Sequence, residues 1–195
     1  PPLTNDKWID YFNLYKTIPE FSEQNYNMTL NEFKVIFWWE WGHRQLGRLI
    51  GLSVLIPLIF FSIKNGLWVL RNYGLIFLLV CFQGFIGWYM VSSGLIDRLD
   101  VSHYRLSLHL VTAFVILSVV FWKFLKLTKI QVQYFSISIS LVKFFLFLLF
   151  LQLIIGAFVS GMDAGKIYNT WPMMGSSYFP DDSKFIEFLS INVFD

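Results

Sequence analysis

The chain has 195 residues, of which 56 % are hydrophobic, 20 % aromatic and only 14 % charged. With a mean hydropathy of +0.57 it lies outside the range of soluble domains and reads as a protein that crosses a membrane several times. A net charge of +2 offers no basic surface for a nucleic acid, and the single cysteine, Cys81, sits in an apolar run with no partner for an intrachain disulfide.

Residues 1–32 are polar and aromatic, interrupted by Pro1, Pro2 and Pro19, and read as an aqueous segment with short helices. No signal peptide is visible. The chain opens at Pro1 without a methionine and stops at Asp195 without a tail, so a fragment of a longer protein is expected. Thr29, followed three residues later by Glu32, predicts a capping box just ahead of the first membrane helix. That helix is expected over 33–62, with Pro57 tolerated near its end. Further spans are expected over 72–95, 104–125 and 132–159. Each is near or above the roughly 20 residues needed to cross, and none has the short alternating pattern of a barrel strand. The fold class is therefore all-α, a polytopic transmembrane helical bundle with four spans in 33–159. Residues 160–195 read as a surface loop with a short amphipathic helix around 182–190.

Loop charges orient the spans. The stretch 63–71 carries Lys64 and Arg71 and no acid, and 123–130 carries Lys123, Lys126 and Lys129 and no acid, so both are expected on the cytoplasmic or matrix side. The opposite side then holds residues 1–32, the Asp97–Asp100 loop and the tail from Ser160. Spans one and three run in the same direction, and His43 and His109 both fall in the outer half, at depths that agree within about two helical turns. A faint repeat, Gln83-x-x-x-Gly87 in span two and Gln152-x-x-x-Gly156 in span four, suggests a duplicated two-helix unit.

Ionisable side chains are expensive in a bilayer and tend to mark function there. In span one Glu40, His43 and Arg44 are three and four residues apart, and Arg44 and Arg48 four apart, so they project from one side of the helix. The face through His43 continues to Gly47, Ile50, Gly51 and Val54, and glycines below a ligand histidine let a flat macrocycle approach the backbone. Two histidines at matching depth on two helices are what a six-coordinate haem iron needs. The bland alternative is an interfacial network in which Glu40 pairs with Arg44. In span three His103 and His109 are six apart and point to different faces; His109 is the deeper and the better ligand, and His103 reads as interfacial. Arg105 could neutralise a haem propionate or anchor the helix at the headgroups. A zinc site would need more ligands than the spans offer. The Glu-x-x-His spacing also resembles the ligand pairs of di-iron bundles, but it occurs once and the other carboxylates are missing. Gln83 reads as an inter-helix hydrogen bonder.

The run Phe33 to Arg48, containing Glu40-Trp41-Gly42-His43-Arg44-Gln45-Leu46-Gly47-Arg48, resembles the E-x-x-H-R-x-x-G-R signature of haem A synthases. Gln83 to Val91, Val101 to Leu110, Gly156 to Gly165 and Tyr168-Asn169-Thr170-Trp171-Pro172 agree in the same order. The form is similar to the mitochondrial and alphaproteobacterial members, which lack paired loop cysteines. The resemblance implies an eight-helix protein of two similar halves, each holding one haem between two histidines. It implies that this chain covers family helices two to five, with one helix before Pro1 and the second half, holding a haem b, after Asp195. It implies an oxidoreductase that oxidises a ring methyl of haem O to the formyl group of haem A for cytochrome c oxidase biogenesis. His43 and His109 are then the iron ligands and Glu40 the catalytic carboxylate, with Arg44, Arg48, Arg105 and Gln83 as propionate or pocket contacts. Implied partners are haem O as substrate, membrane lipid, haem O synthase and oxidase assembly factors, and a second copy of the chain. The short loop between Asp97 and His103 favours a bacterial inner membrane over a mitochondrial one, with the N-terminus on the periplasmic side.

Two other readings compete. One is a bis-histidine membrane cytochrome b that only transfers electrons and needs no carboxylate beside its ligand. The other is a helical transport or assembly factor whose histidines bind nothing.

Overall fold

In this computed structural model the structure describes residues 1–94, 101–128, 137–167 and 169–178. They form two compact units, Pro1–Asp100 and Val101–Asp195.

The first unit begins with two short helices. Helix α1 (Asn5–Tyr15) is capped by Thr4, whose hydroxyl accepts the Lys7 N–H, and it buries Trp8 and Phe12, four residues apart on one face. Helix α2 (Pro19–Glu23) starts on Pro19, whose fixed φ suits a first helical position. Helix α3 (Leu30–Asn65) starts from the expected capping box: Glu32 accepts the Thr29 N–H at 2.7 Å and the Thr29 hydroxyl accepts the Glu32 N–H at 3.4 Å. Its 36 residues would span about 54 Å at 1.5 Å per residue, well beyond the roughly 30 Å of a hydrocarbon core. The surplus is the platform on which α1 and α2 pack. Trp8, Phe12 and Phe33 form a small core with Tyr15, Phe21, Met28, Leu30 and Phe37 around it, and the Trp8 and Phe37 rings meet edge to face at 5.0 Å. The Tyr15 hydroxyl donates to Glu20 at 2.9 Å and accepts from the Asn25 amide at 2.9 Å, tying α1 to α2. Burial, and then the Glu20 carboxylate, disfavour the phenolate and push the Tyr15 pKa up to about 12.

Gly66 ends α3 with φ 82, and its N–H bonds the Ser62 carbonyl at 2.8 Å. That conformation suits glycine. Helix α4 (Leu67–Gly94) follows at once. The loop expected over 63–71 is thus a single corner, and Lys64 and Arg71 lie on helices at its two sides. Helices α3 and α4 pack along each other, burying Leu58, Val69 and Ile86 within the unit.

The second unit is built on α5 (His103–Thr128) and α6 (Ile139–Gly161), which pack together, followed by α7 (Ala164–Ile167). Ser138 precedes the first residue of α6, so the helix begins later than the expected 132; residues 132–136 lie outside the described residues, as do the Asp97–Asp100 loop, Lys129 and the amphipathic helix expected around 182–190. The start of α5 meets the end of α6 at very close range. A Cβ added to Gly161 would sit 2.7 Å from the His103 Cβ and 2.9 Å from its Cα. His103 is buried there, with its ring edge to face against Phe158 at 5.3 Å. Gly161→Ala must push two backbones apart and is expected to cost about 1–3 kcal/mol. A lower midpoint in detergent denaturation checks this, and an unchanged midpoint would show that the contact is loose.

Among the described residues there is no strand, and four helices, α3 to α6, are long and apolar enough to cross a membrane. Their apolar side chains point outward: Ile63 is 82 % exposed, Leu78 64 % and Phe145 66 %. Lipid is the solvent for such a surface, while the backbone groups are satisfied inside each helix.

Candidate functional site

The capping box fixes where α3 begins and so sets the register of everything on it. One and a half turns beyond the aromatic platform, α3 carries Glu40, His43, Arg44 and Arg48, all exposed. Glu40 and Arg44 form an ion pair one turn apart. Arg48 does not join them; its Nη1 donates to the Gln45 side-chain oxygen at 3.2 Å. Beside this charged strip runs a bare one. Gly47 and Gly51 lie four and eight residues after His43, and a Cβ built on either would meet nothing within 4 Å. The helix therefore presents an imidazole beside a strip left open at Gly47 and Gly51, with a carboxylate and two guanidinium groups nearby. On the aqueous side the strip is bounded by indoles, Trp38 and Trp41 meeting edge to face at 5.3 Å, and Trp38 in turn meets Trp8 of α1 at 6.0 Å in a tilted contact.

Such a strip is uncomfortable in lipid. A single charged residue in a membrane helix costs about 2.5–3.5 kcal/mol near the bilayer centre on insertion scales. The Glu40–Arg44 pair lowers that cost, but His43 and Arg48 are still exposed on the outer face of the helix. On α4, Gln83 is half-buried one turn before buried Ile86 and half-buried Gly87, so it belongs to the packed side of that helix.

In the second unit His109 is half-buried on α5, and Arg105, one turn earlier, is also half-buried. His103 points elsewhere, into the contact with Gly161 and Phe158. His43 belongs to the first unit and His109 to the second. Among the described residues no group of three or more His, Cys, Asp or Glu side chains gathers into a metal site. Sequence reasoning missed Gln45, although its three-residue offset from Arg48 was there to be read, and it missed the Gly161–His103 contact, for which no local pattern exists.

Comparison with known proteins agrees along the whole chain. A family model described as "Cytochrome oxidase assembly protein" matches residues 1–195. The chain is 49 % identical over 197 residues to a protein named "Heme A synthase" from Pelagibacter ubique, a match covering 100 % of this chain and 59 % of that protein. It is 51 % identical over 189 residues to one of that name from Maricaulis maris, covering 93 % and 54 %, and 42 % identical over 192 residues to one from Flavobacterium psychrophilum, covering 96 % and 57 %. The chain thus spans between half and two thirds of the length of these curated relatives. No solved structure matches it. From its signature on α3, its four membrane helices and these relatives, the chain belongs to the haem A synthase family of cytochrome oxidase assembly proteins.

Proposed function

We propose that this chain carries the substrate half of a haem A synthase, a membrane oxidoreductase that converts a ring methyl of haem O to the formyl group of haem A for cytochrome c oxidase. The observation that carries the reading is on α3: a carboxylate held by Arg44, one turn from a histidine that stands over an open glycine strip. The enzyme names of its relatives support the class of reaction.

In this reading haem O is the substrate, and His43 in the first unit and His109 in the second each supply an imidazole that would ligate haem iron. His43 offers an imidazole nitrogen above the strip where the macrocycle lies flat, and Gly47 and Gly51 keep that strip clear. Converting –CH3 to –CHO removes two hydrogens and adds one oxygen, a four-electron oxidation whose electron acceptor and oxygen atom come from outside this chain, and a base at the ring edge has the released protons to accept. Glu40 is that base. Arg44 holds its carboxylate in place. Arg105 and Gln83 remain candidates for the pocket wall. Lys64 and Arg71 at one end of the first helical pair, and Lys123 and Lys126 at the end of α5, support a cytoplasmic side for those ends, with the Glu40–His43 region toward the outer surface.

The test is haem extraction and chromatography from bacterial cells that make haem O, with and without the full-length protein. Haem A only in the cells containing the protein is the expected result. A protein that holds a low-spin haem b while the cells make no haem A would establish the electron-carrier reading instead.

A further inference from the structure

The corner between α3 and α4 holds two cations that the candidate site does not use. Lys64 lies two residues before Gly66 and Arg71 five after it, and both are exposed. The other cations of α3 are engaged: Lys34 over the Trp8 ring, Arg44 by Glu40 and Arg48 by Gln45. Among the described residues no ion pair, side-chain hydrogen bond or aromatic ring engages Lys64 or Arg71. We infer that this corner binds the phosphate of an anionic phospholipid, held by Arg71 and Lys64 beside Trp68.

Position supports it. Residues 49–63 and 72–96 carry no charge, so the two cations stand at the same end of two apolar runs. Arg71 is about 7.5 Å along α4 from the corner, at 1.5 Å per residue. Helical side chains lean toward the N-terminus, here toward the corner, which draws the guanidinium back to the level of Leu67, Trp68 and Lys64. Leu67, Trp68 and Arg71 line a hollow of about 280 Å³, room enough for a phosphate group. Trp68 is 58 % exposed and its ring meets Tyr73 edge to face at 6.3 Å. Indoles so placed settle at headgroup level. Ile63 and Leu70 continue the exposed apolar surface from the corner onto the two spans, where acyl chains lie. Charge decides the kind of lipid. No aspartate or glutamate occurs between Glu40 and Asp97, so the counter-ion of this corner comes from outside the helices. A guanidinium makes two parallel hydrogen bonds to a phosphate, and a second cation beside it favours a lipid with net negative charge over a zwitterionic one.

The full-length protein is reconstituted in nanodiscs of phosphatidylcholine with a minor share of phosphatidylglycerol. The lipid that stays with the released protein is counted by native mass spectrometry. Wild type is expected to hold phosphatidylglycerol at about fivefold its share in the disc or more, since each cation near a surface contributes about that factor. Arg71→Gln removes most of the enrichment, Lys64→Gln/Arg71→Gln abolishes it, and Arg71→Lys keeps part. Lys123→Gln/Lys126→Gln, at the end of α5, leaves it unchanged. A second measurement needs no variant: phosphatidylglycerol with a photoreactive headgroup is expected to label the segment 64–72 of wild type. Retention at the bulk share in wild type overturns the assignment, as does unchanged enrichment in Arg71→Gln or labelling confined to other segments. Equal loss in the α5 variant shows a general attraction of surface charge and overturns the site. If inorganic phosphate displaces the lipid and protects segment 64–72, the ligand is a free anion and the lipid assignment fails.

Discussion

Glu40→Gln is expected to lower haem A formation by about 10²–10⁴-fold, the usual contribution of a placed acid or base. Haem O should accumulate on the variant, because the ligands are untouched. Glutamine keeps the size of the side chain and can still accept from Arg44, but it cannot take up a proton. The variant also leaves Arg44 without its counter-ion, and an uncompensated cation in lipid could weaken the site by itself. The double variant Glu40→Gln/Arg44→Gln settles which effect dominates. If the single variant fails only through an unpaired arginine, removing that charge restores haem A. If Glu40 is the base, the double variant stays inactive while both retain the Soret band. An electron carrier, by contrast, would keep its haem and its potential in all three forms, and haem A at wild-type levels from Glu40→Gln would remove the carboxylate from the mechanism.

What could be read from the sequence was what is encoded within a turn or two of helix. The Thr29–Glu32 box, the Glu40–Arg44 pair and the four apolar runs depend on spacings of three, four and about twenty residues, and all appear in the structure. The corner at Gly66 was harder. The flanking Lys64 and Arg71 suggested a polar loop, whereas one glycine with positive φ reverses the chain and lets both cations ride on helices. Arg48 had two candidate neighbours on the preceding turn, Arg44 and Gln45; charge repulsion from one and a free carbonyl oxygen on the other decide it, but only rotamers show the outcome. Gly161 against His103 joins residues far apart in the chain, and no periodic pattern predicts it. The α1–α2 platform was visible only as an aromatic-rich segment. Its packing on the first turns of α3 follows from that helix being longer than a membrane is thick.

The proposed ligand roles of His43 and His109 make the second large prediction. Removing either iron ligand should cost more than the roughly 10–100-fold lost when only a group supporting a metal ligand is removed. His43→Gly and His109→Gly are therefore each expected to lose the six-coordinate low-spin spectrum and to form no detectable haem A. Glycine leaves a gap the size of the imidazole, so added imidazole should restore the low-spin spectrum in both, which a merely misfolded variant would not allow. His103 provides the contrast from the same helix. It is buried between α5 and α6 rather than directed to a ligand, so His103→Ala should keep the low-spin spectrum and lower the denaturation midpoint. A low-spin spectrum that survives His109→Gly but vanishes in His103→Ala would reverse the two roles. The direction of α5 would then have to be rotated by the six-residue offset between them. The close contact of His103 with Gly161 and Phe158 holds that face of α5 against α6 and argues against such a rotation.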